Sequence, residues 1–287
     1  RKARLIRMLQ VASNPSLLYD QKEEFDLESQ CGLSSTLPSS IQSQDTDIYK
    51  KIINYSKEGQ IPVKLVQTAE LAKKLMANGE KVIIWSNFVT NIRIFENQLL
   101  KDQNPIVIYG DISKDINKEE NRDKSIKKFK DDPNPCVLIA TPPALSESVS
   151  LHINEKKERV CNHAIYLDRN YNAAQYVQSM DRIHRVNMDL SDDSSFTIEV
   201  EDSGVKKERT FRRNRVYYHF IIANNTIDES IHDRLKTKFE NMNSALNDSW
   251  PQTLDYEGNS VIVSADSANN DLISLVTNLQ NSVDSNK

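Results

Sequence analysis

The densest group of side chains suited to chemistry lies between Gln178 and Arg185. Gln178, Arg182 and Arg185 follow the spacing i, i+4 and i+7, which would place all three on one face of a helix. Two guanidinium groups on one face form planar donors that suit a phosphate chain. A solvated helix face that carries two arginines without a ligand has the same spacing, so the spacing alone leaves both interpretations open.

Small and polar residues directly follow three short apolar segments. They are Ser86 and Asn87 after Val82–Trp85, Tyr109-Gly110-Asp111 after Ile106–Ile108, and Thr141–Leu151 after Val137–Ala140. If the apolar segments are parallel strands, these residues gather at the carboxyl-end edge of the sheet, where ligands bind in open α/β folds. Taken alone, Ser86 and Asn87 are better explained as the ordinary polar loop that ends a strand, and only the three segments together favour a ligand site.

The glycine content excludes two kinds of nucleotide site. Only six glycines occur in 287 residues, and no two of them lie within one short loop. A Walker A loop or a dinucleotide-binding turn needs at least two glycines a few residues apart, so that backbone amides can approach phosphates. If this chain binds a nucleotide, another segment must supply the phosphate cradle.

The remaining composition narrows the class of protein further. The five histidines have no paired metal-ligand spacing, so we expect no metal site, and no G-x-S-x-G nucleophile motif occurs. The longest apolar run, Cys136–Ala140, is far shorter than the ~20 residues that span a bilayer, so we expect no membrane partner. Three widely spaced cysteines suit reduced thiols in an intracellular protein, and we expect the chain in the cytoplasm, a nucleoid or a nucleus. The net charge of −4 means that any nucleic acid must meet local basic patches.

The apolar pattern predicts an α/β fold. Short apolar strands alternate with amphipathic helices, which is typical of a parallel sheet with helices on both faces. We expect strands at Val82–Trp85, Ile106–Ile108, Val137–Ala140, Ala164–Leu167 and Tyr217–Ile222, and helices within 1–18, 64–78, 92–99, 126–129, 173–186 and 226–242.

The same pattern divides the chain into four parts. Residues 1–18 form a leading helix, 19–59 a polar linker or loop, 60–242 the folded lobe and 243–287 a polar tail. The chain begins Arg-Lys-Ala-Arg without an initiator Met, from which we expect a piece of a longer polypeptide.

Taken in order, these segments resemble the second RecA-like lobe of superfamily-two helicases, and within that group the Swi/Snf-like DNA translocases. The resemblance covers roughly residues 1–18 and 60–242. Its parts are Leu9–Leu18 (the preceding helix), Val82–Phe88 (motif IV), Thr141–Leu151 (motif V), Asn172–Arg185 (motif VI and its lead-in), and Tyr217–Ile222 with Thr226–Ile231 (the closing strand and helix).

The resemblance implies that ATP binds between this lobe and a missing N-terminal lobe, which is its expected partner. Arg182 and Arg185 would contact the γ-phosphate during phosphoryl transfer, and Gln178 and Glu147 would bind the nucleotide. The N-terminal lobe would supply the Walker A lysine and the ligands of Mg²⁺.

The resemblance also implies movement along DNA. Backbone phosphates of one strand of a duplex would be held by Ser86, Asn87, Gly110 and Thr141. Hydrolysis would open and close the cleft between the lobes and so move the protein along that strand.

Motif V departs from the family pattern. The family usually has A-G-G-E-G-L-N-L, whereas this chain has Ala144-Leu-Ser-Glu-Ser-Val-Ser-Leu151, and Asn187-Met188 replaces the Gly-Gln that follows motif VI. The lost glycines favour an alternative function, a catalytically eroded lobe that serves as an interaction module. The retained glutamine and arginines of motif VI favour the motor.

Residues 187–215 form an insertion where the family has a short link. Two arms, 189–202 and 206–215, flank the favourable hairpin turn Asp202-Ser-Gly204. Six acidic residues on the first arm and six basic residues on the second predict a hairpin that neutralises itself by cross-strand pairing. The alternative is a basic arm that contacts nucleic acid or an acidic partner.

Overall fold

A computed structural model describes residues 2–18, 51, 54–55, 58–110, 121–145, 149–184, 191–202 and 205–246. Its α-helices are α1 (Lys2–Ser13), α2 (Val63–Ala77), α3 (Val89–Ile94, continued by a π-helix at Phe95–Leu99), α4 (Arg122–Asp131), α5 (Ala173–Met180) and α6 (Ile227–Leu246). Its strands are β1 (Val82–Trp85), β2 (Ile106–Ile108), β3 (Val137–Ala140), β4 (His163–Tyr166), β5 (Ser195–Asp202), β6 (Val205–Arg212) and β7 (Tyr217–Phe220). None of the helices in these ranges combines the length and the apolar character needed to cross a membrane.

Five of the strands form one parallel sheet in the order β2-β3-β1-β4-β7. Central strand β1 pairs with β3 on one side and with β4 on the other, so that Ile84 lies opposite Ile139 and Ile165. The predicted strands are confirmed, with ends that differ by at most two residues.

The two faces of the sheet bury two separate cores, because successive strand residues point to opposite faces. Ile83 and Trp85 of β1 pack in the core that α1, α4, α5 and α6 share. Val82 and Ile84 pack in the other core, with α2 and α3. Helices therefore cover both faces, and the predicted α/β class is confirmed.

The β5–β6 pair is the predicted hairpin, and its base belongs to the second core. The two strands are antiparallel, with Phe196 opposite Phe211. Phe211 and Ile198 are buried in the second core, and the Phe211 ring lies 4.8 Å from that of Tyr217 and 5.4 Å from that of His163. The hairpin base thus helps to cover strands β4 and β7.

The helix predicted for 173–186 is shorter in the described residues, and Arg185 and Val186 lie outside them. Helix α5 ends at Met180. The amide of Asp181 still bonds four residues back, to Val177 O, whereas the amides of Arg182 and Ile183 bond three residues back, to Ser179 O and Met180 O. The chain turns because Arg182 bonds to the segment after β3, and these tertiary bonds outweigh the local helical pattern.

Candidate nucleotide and nucleic-acid site

The carboxyl ends of β1 and β4 form the crevice at which this fold class binds ligands. Helix α3 leaves β1 toward one face of the sheet, and α5 leaves β4 toward the other. Neighbouring strands whose connections diverge in this way define a topological switch point. The side chains in this crevice are Ser86 and Asn87 after β1, and Asp168 and Asn170 after β4.

The carboxylate of Asp168 is the centre of this crevice. It is 4% exposed and accepts four hydrogen bonds, all from uncharged donors. Ser86 Oγ (2.8 Å) and Ser13 Oγ (3.1 Å) donate to Oδ2, while the backbone amide (2.6 Å) and Nδ2 (2.7 Å) of Asn87 donate to Oδ1. Burial raises the pKa of Asp168, although the hydrogen bonds from Asn87 and Ser86 oppose that rise.

The same network fixes the end of α1 against the sheet. Asn91 Nδ2 donates to Ser13 Oγ at 2.8 Å, and Asn14 Nδ2 donates to Asn91 Oδ1 at 3.0 Å. Asn14 Oδ1 accepts from the amide of Ser16 at 3.0 Å. Of the residues in this network, Ser13, Asn14 and Asn91 are buried. The leading helix is therefore an integral part of the lobe.

Three of the four residues predicted to hold nucleic acid are buried. Ser86 and Asn87 lie at the predicted edge, but Asp168 accepts from the hydroxyl of Ser86 and from both donors of Asn87. Thr141 is buried, and its amide donates to Ile108 O at 3.1 Å. Gly110 is exposed, with open space around its α-carbon. A phosphate-binding role for these four residues stays a prediction.

Arg182 links motif VI to motif V. Arg182 is only 7% exposed, and its Nη1 donates to Val149 O at 3.2 Å. The backbone of the same residue accepts from the amide of Leu151 at 2.8 Å. Gln178, by contrast, is exposed on α5, and Arg182 lies beyond the end of that helix. A joint role of Gln178 and Arg182 at a nucleotide stays a prediction. Arg185 and Glu147 lie outside the described residues.

The buried side chain of Arg169, which follows Asp168, connects α6 to this edge. The guanidinium of Arg169 lies 4.4 Å from the centre of the Phe220 ring, and Nη2 bonds to His232 Nδ1 at 2.8 Å. Burial and the charge of Arg169 lower the pKa of His232 to about 4. His232 is therefore neutral near pH 7 and accepts this bond.

Helices α2 and α6 are joined beside the same edge by a buried ion pair. Lys64 Nζ donates to Asp228 Oδ2, and both side chains are almost fully buried. Asp228 Oδ2 also accepts from the amide of Ala223 at 3.1 Å. The described residues contain no cluster of histidine, cysteine and carboxylate side chains that could hold a metal ion.

Sequence reasoning missed Asp168, although a usable signal was present. Asp168-Arg169-Asn170 follows the fourth apolar segment just as Ser86-Asn87 follows the first. The same rule of polar residues at strand ends would have placed this triplet at the edge.

The opposite, amino-end edge of the sheet carries a second buried carboxylate, Glu80. Arg213 Nη1 donates to Glu80 Oε1 and Arg213 Nη2 donates to Asn78 O at 2.6 Å. Arg159 Nη2 lies 3.8 Å from Glu80 Oε2, and His163 Nε2 lies 4.0 Å from it. Burial raises the pKa of Glu80, while Arg213 and Arg159 oppose the rise. Arg213, which the sequence groups with the basic arm, therefore anchors the hairpin base to the sheet.

Comparison with solved structures finds several helicase and ATPase domains. A crystal structure of the C-terminal part of the Fun30 ATPase domain is 21% identical, with a TM-score of 0.43, and the alignment covers 67% of this chain and 54% of that one. The Sulfolobus solfataricus SWI2/SNF2 ATPase core in complex with dsDNA is 19% identical (TM-score 0.41; 85% and 46% covered). The Pyrococcus furiosus Hef helicase domain is 17% identical (TM-score 0.43; 75% and 37% covered). This chain thus spans about half the length of the Fun30 structure and less of the other two.

No curated protein matches the chain. Residues 64–187 match the family described as "Helicase conserved C-terminal domain". The match extends from the start of α2, through the motif IV, V and VI segments, and includes Arg185. Together with the five-stranded parallel sheet, it confirms the resemblance that the motifs indicated: residues 64–187 are similar to a helicase C-terminal domain, and the fold is RecA-like α/β.

Proposed function

We propose that this chain is the C-terminal motor lobe of an ATP-dependent, Swi/Snf-like DNA translocase or helicase, and that it acts inside the cell together with an N-terminal RecA-like lobe. The observation that carries the proposal is the link between motifs V and VI within a helicase C-terminal domain. Arg182 bonds through its side chain to Val149 and through its backbone to Leu151. A nucleotide that moves motif VI would therefore also move the segment after β3.

The two arginines of motif VI have different roles in this proposal. Arg182 is buried and donates to a carbonyl oxygen, so it positions motif V. Arg185 is the arginine finger, which stabilises the charge that develops on the γ-phosphate. Gln178 and Glu147 contact the nucleotide, and Mg²⁺ is held by ligands of the N-terminal lobe.

The test uses the full-length parent protein, with this chain alone as the reference that should not hydrolyse ATP. Arg185→Ala should lower DNA-stimulated ATP turnover by roughly 10³–10⁵-fold, as expected for an arginine finger, and Arg185→Lys should fail similarly because a point charge lacks the planar fork. Arg182→Lys should retain more turnover than Arg182→Ala, because one ammonium N–H can still donate to Val149 O. Near-normal turnover in Arg185→Ala would refute the motor.

A second candidate function is an interaction module without ATPase activity. It is favoured by the serines and leucine that replace the motif V glycines, and by the burial of Ser86, Asn87 and Thr141. The upstream sequence of the parent decides between the two, since a motor requires a Walker A loop and an acidic box there.

A further inference from the structure

Residues 149–162, which lead from motif V to the start of β4, connect Arg182 with the amino-end edge of the sheet. At the beginning of this crossover segment, Val149 O accepts from Arg182 Nη1 at 3.2 Å and the amide of Leu151 donates to Arg182 O at 2.8 Å. At its end, Asn162 directly precedes β4 and is 1% exposed. The position of Arg182 therefore depends on how firmly the crossover segment is held.

The two halves of the crossover segment are bonded to each other. The amide of Val160 donates to His152 O at 2.8 Å, and Ile153 and Arg159 form an antiparallel bridge. Leu151 and Val160 are both buried in the first core. A displacement of Arg159 would therefore also displace Leu151.

The base of the inserted hairpin contacts the end of the crossover segment in two ways. Asn162 Nδ2 donates to the backbone carbonyls of Arg213 at 3.3 Å and of Arg215 at 2.8 Å. The side chain of Arg213 donates to Glu80 Oε1, and Glu80 Oε2 lies 3.8 Å from Arg159 Nη2. The hairpin and the crossover segment thus share one buried carboxylate.

Glu80 allows the two guanidinium groups to lie close to each other. It is 4% exposed, so water screens this cluster poorly. Burial lowers the pKa of Arg159, Glu80 opposes that change, and the charge of Arg213 adds to the lowering. The carboxylate therefore holds the hairpin and the crossover segment together against the repulsion between their arginines.

The polar contacts at Glu80 and Asn162 join elements that pack on opposite faces of the sheet. Ile198 and Phe211 of the hairpin are buried in the second core, whereas Leu151 of the crossover segment is buried in the first. The contacts connect the two faces around the amino-end edge. A hairpin that only covered apolar surface would not require them.

We propose that Glu80 and Arg213 are positioning residues for Arg182, through which the inserted hairpin holds the crossover segment. The inference rests on the proposed function, in which Arg182 positions motif V for ATP hydrolysis. Without this hold, the crossover segment opens locally and the bonds of Arg182 to Val149 and Leu151 are weakened. Turnover then falls, although no group that contacts the nucleotide has been changed.

The first test measures hydrogen exchange of single amides in this chain by NMR. Arg213→Gln should make the amides of Leu151 and Val160 exchange roughly 2- to 30-fold faster. The amide of Leu167, which is bonded within the central sheet, reports global unfolding and corrects for any loss of overall stability. The matched control Arg212→Gln changes the adjacent, exposed arginine and should leave Leu151 as in the wild type.

A second variant tests the same hold from the side of the crossover segment. Arg159→Gln removes the cation that this segment directs toward Glu80, and it should also accelerate exchange at Leu151. The double variant Arg159→Gln, Arg213→Gln should accelerate exchange by less than the product of the two single effects, because both arginines act through one carboxylate.

The second test measures ATP turnover of the full-length parent, at a temperature at which circular dichroism shows every variant to be folded. Arg213→Gln should lower turnover by roughly the factor found for exchange at Leu151. Arg213→Lys should recover part of it, because an ammonium group keeps a positive charge beside Glu80.

Three results would overturn the proposal. Unchanged exchange at Leu151 in Arg213→Gln would show that the hairpin does not hold the segment, and equal acceleration at Leu151 and Leu167 would leave it a purely structural role. Faster exchange at Leu151 with normal turnover would show that the hold does not position Arg182 for the reaction. A wild-type parent without ATP turnover would refute the proposed function instead, and the exchange rates would still decide whether the hairpin holds the segment.

Discussion

The two edges of the central sheet each bury a carboxylate, and they stabilise it in different ways. At the carboxyl-end edge, Asp168 accepts four hydrogen bonds from hydroxyl and amide donors. At the amino-end edge, Glu80 contacts the guanidinium groups of Arg213 and Arg159. Burial raises the pKa of both carboxylates, so neither environment fully compensates for the loss of water.

The difference lies in what happens to the partners when a carboxylate is lost. Ser13, Ser86 and Asn87 are all buried, so water cannot replace Asp168. The side chains of Arg213 and Arg159 are 29% and 19% exposed, so water can solvate them if Glu80 is removed. Neutral donors therefore make the carboxyl-end edge rigid and intolerant of change, whereas the charged cluster tolerates substitution better.

The largest effect should follow loss of the Asp168 carboxylate. Asp168→Ala leaves buried donors on three residues unpaired, and we expect it to lower the free energy of unfolding by about 3–5 kcal/mol. Asp168→Asn should cost less, because its amide oxygen can still accept from Asn87 while its amide group donates to the two serine hydroxyls. Urea denaturation of the three proteins measures the difference. Equal losses in the two variants would mean that packing, rather than hydrogen bonding, matters here.

A smaller effect is expected at the amino-end edge, where two adjacent arginines provide a matched pair. Arg213→Ala removes charge-assisted bonds to Glu80 and to Asn78 O and should cost about 1–3 kcal/mol. Arg212→Ala should not change stability measurably, because that side chain is 56% exposed and lies 3.7 Å from Asp193, which is also exposed.

The measurement is again urea denaturation. Equal destabilisation by the two alanine variants would contradict the anchoring role of Arg213. It also follows that a DNA-binding test of the hairpin should leave Arg213 in place and change the exposed basic residues alone.

The contrast between the edges also shows what sequence patterns reveal. Strands β1, β2 and β3 were predicted with their observed ends, because continuous apolar runs between turn residues are a local signal. The partner of Asp168 in α1 lies 155 residues away, and no local pattern connects Ser13 with it. The early end of α5 at Met180 escaped prediction for the same reason, since Arg182 bonds to a segment more than thirty residues upstream.

The turn sequence Asp202-Ser-Gly204 predicted the hairpin and the charges of its arms predicted cross-strand pairing, but neither predicted the separate role of Arg213. Arg212 and Arg213 are adjacent and chemically identical in the sequence. Arg212 is the last residue of β6 and Arg213 begins the turn that follows, and of the two only Arg213 reaches a buried carboxylate. Their different roles depend on the position of Glu80. Glu80 follows Gly79, whose positive φ of 87° ends α2 and turns the chain.

The smallest expected effect is a change in the pH dependence of stability, in which His219 and Asp168 should act with opposite signs. His219 bonds to His163 at the amino-end edge at 3.0 Å, and burial lowers its pKa from 6.5 to about 4. Between these values the unfolded chain binds a proton that the folded chain does not, so His219 makes the free energy of unfolding rise with pH, by up to ~1.4 kcal/mol per pH unit. The raised pKa of Asp168 acts in the other direction, because above pH 3.8 the folded state retains a proton that the unfolded state loses.

The measurement is the free energy of unfolding at several pH values between 4 and 6.5. Plotted against pH, it should have a flatter slope for His219→Phe and a steeper slope for Asp168→Asn than for the wild type. Slopes that change in the same direction in both variants would show that His219 and Asp168 do not titrate in opposition.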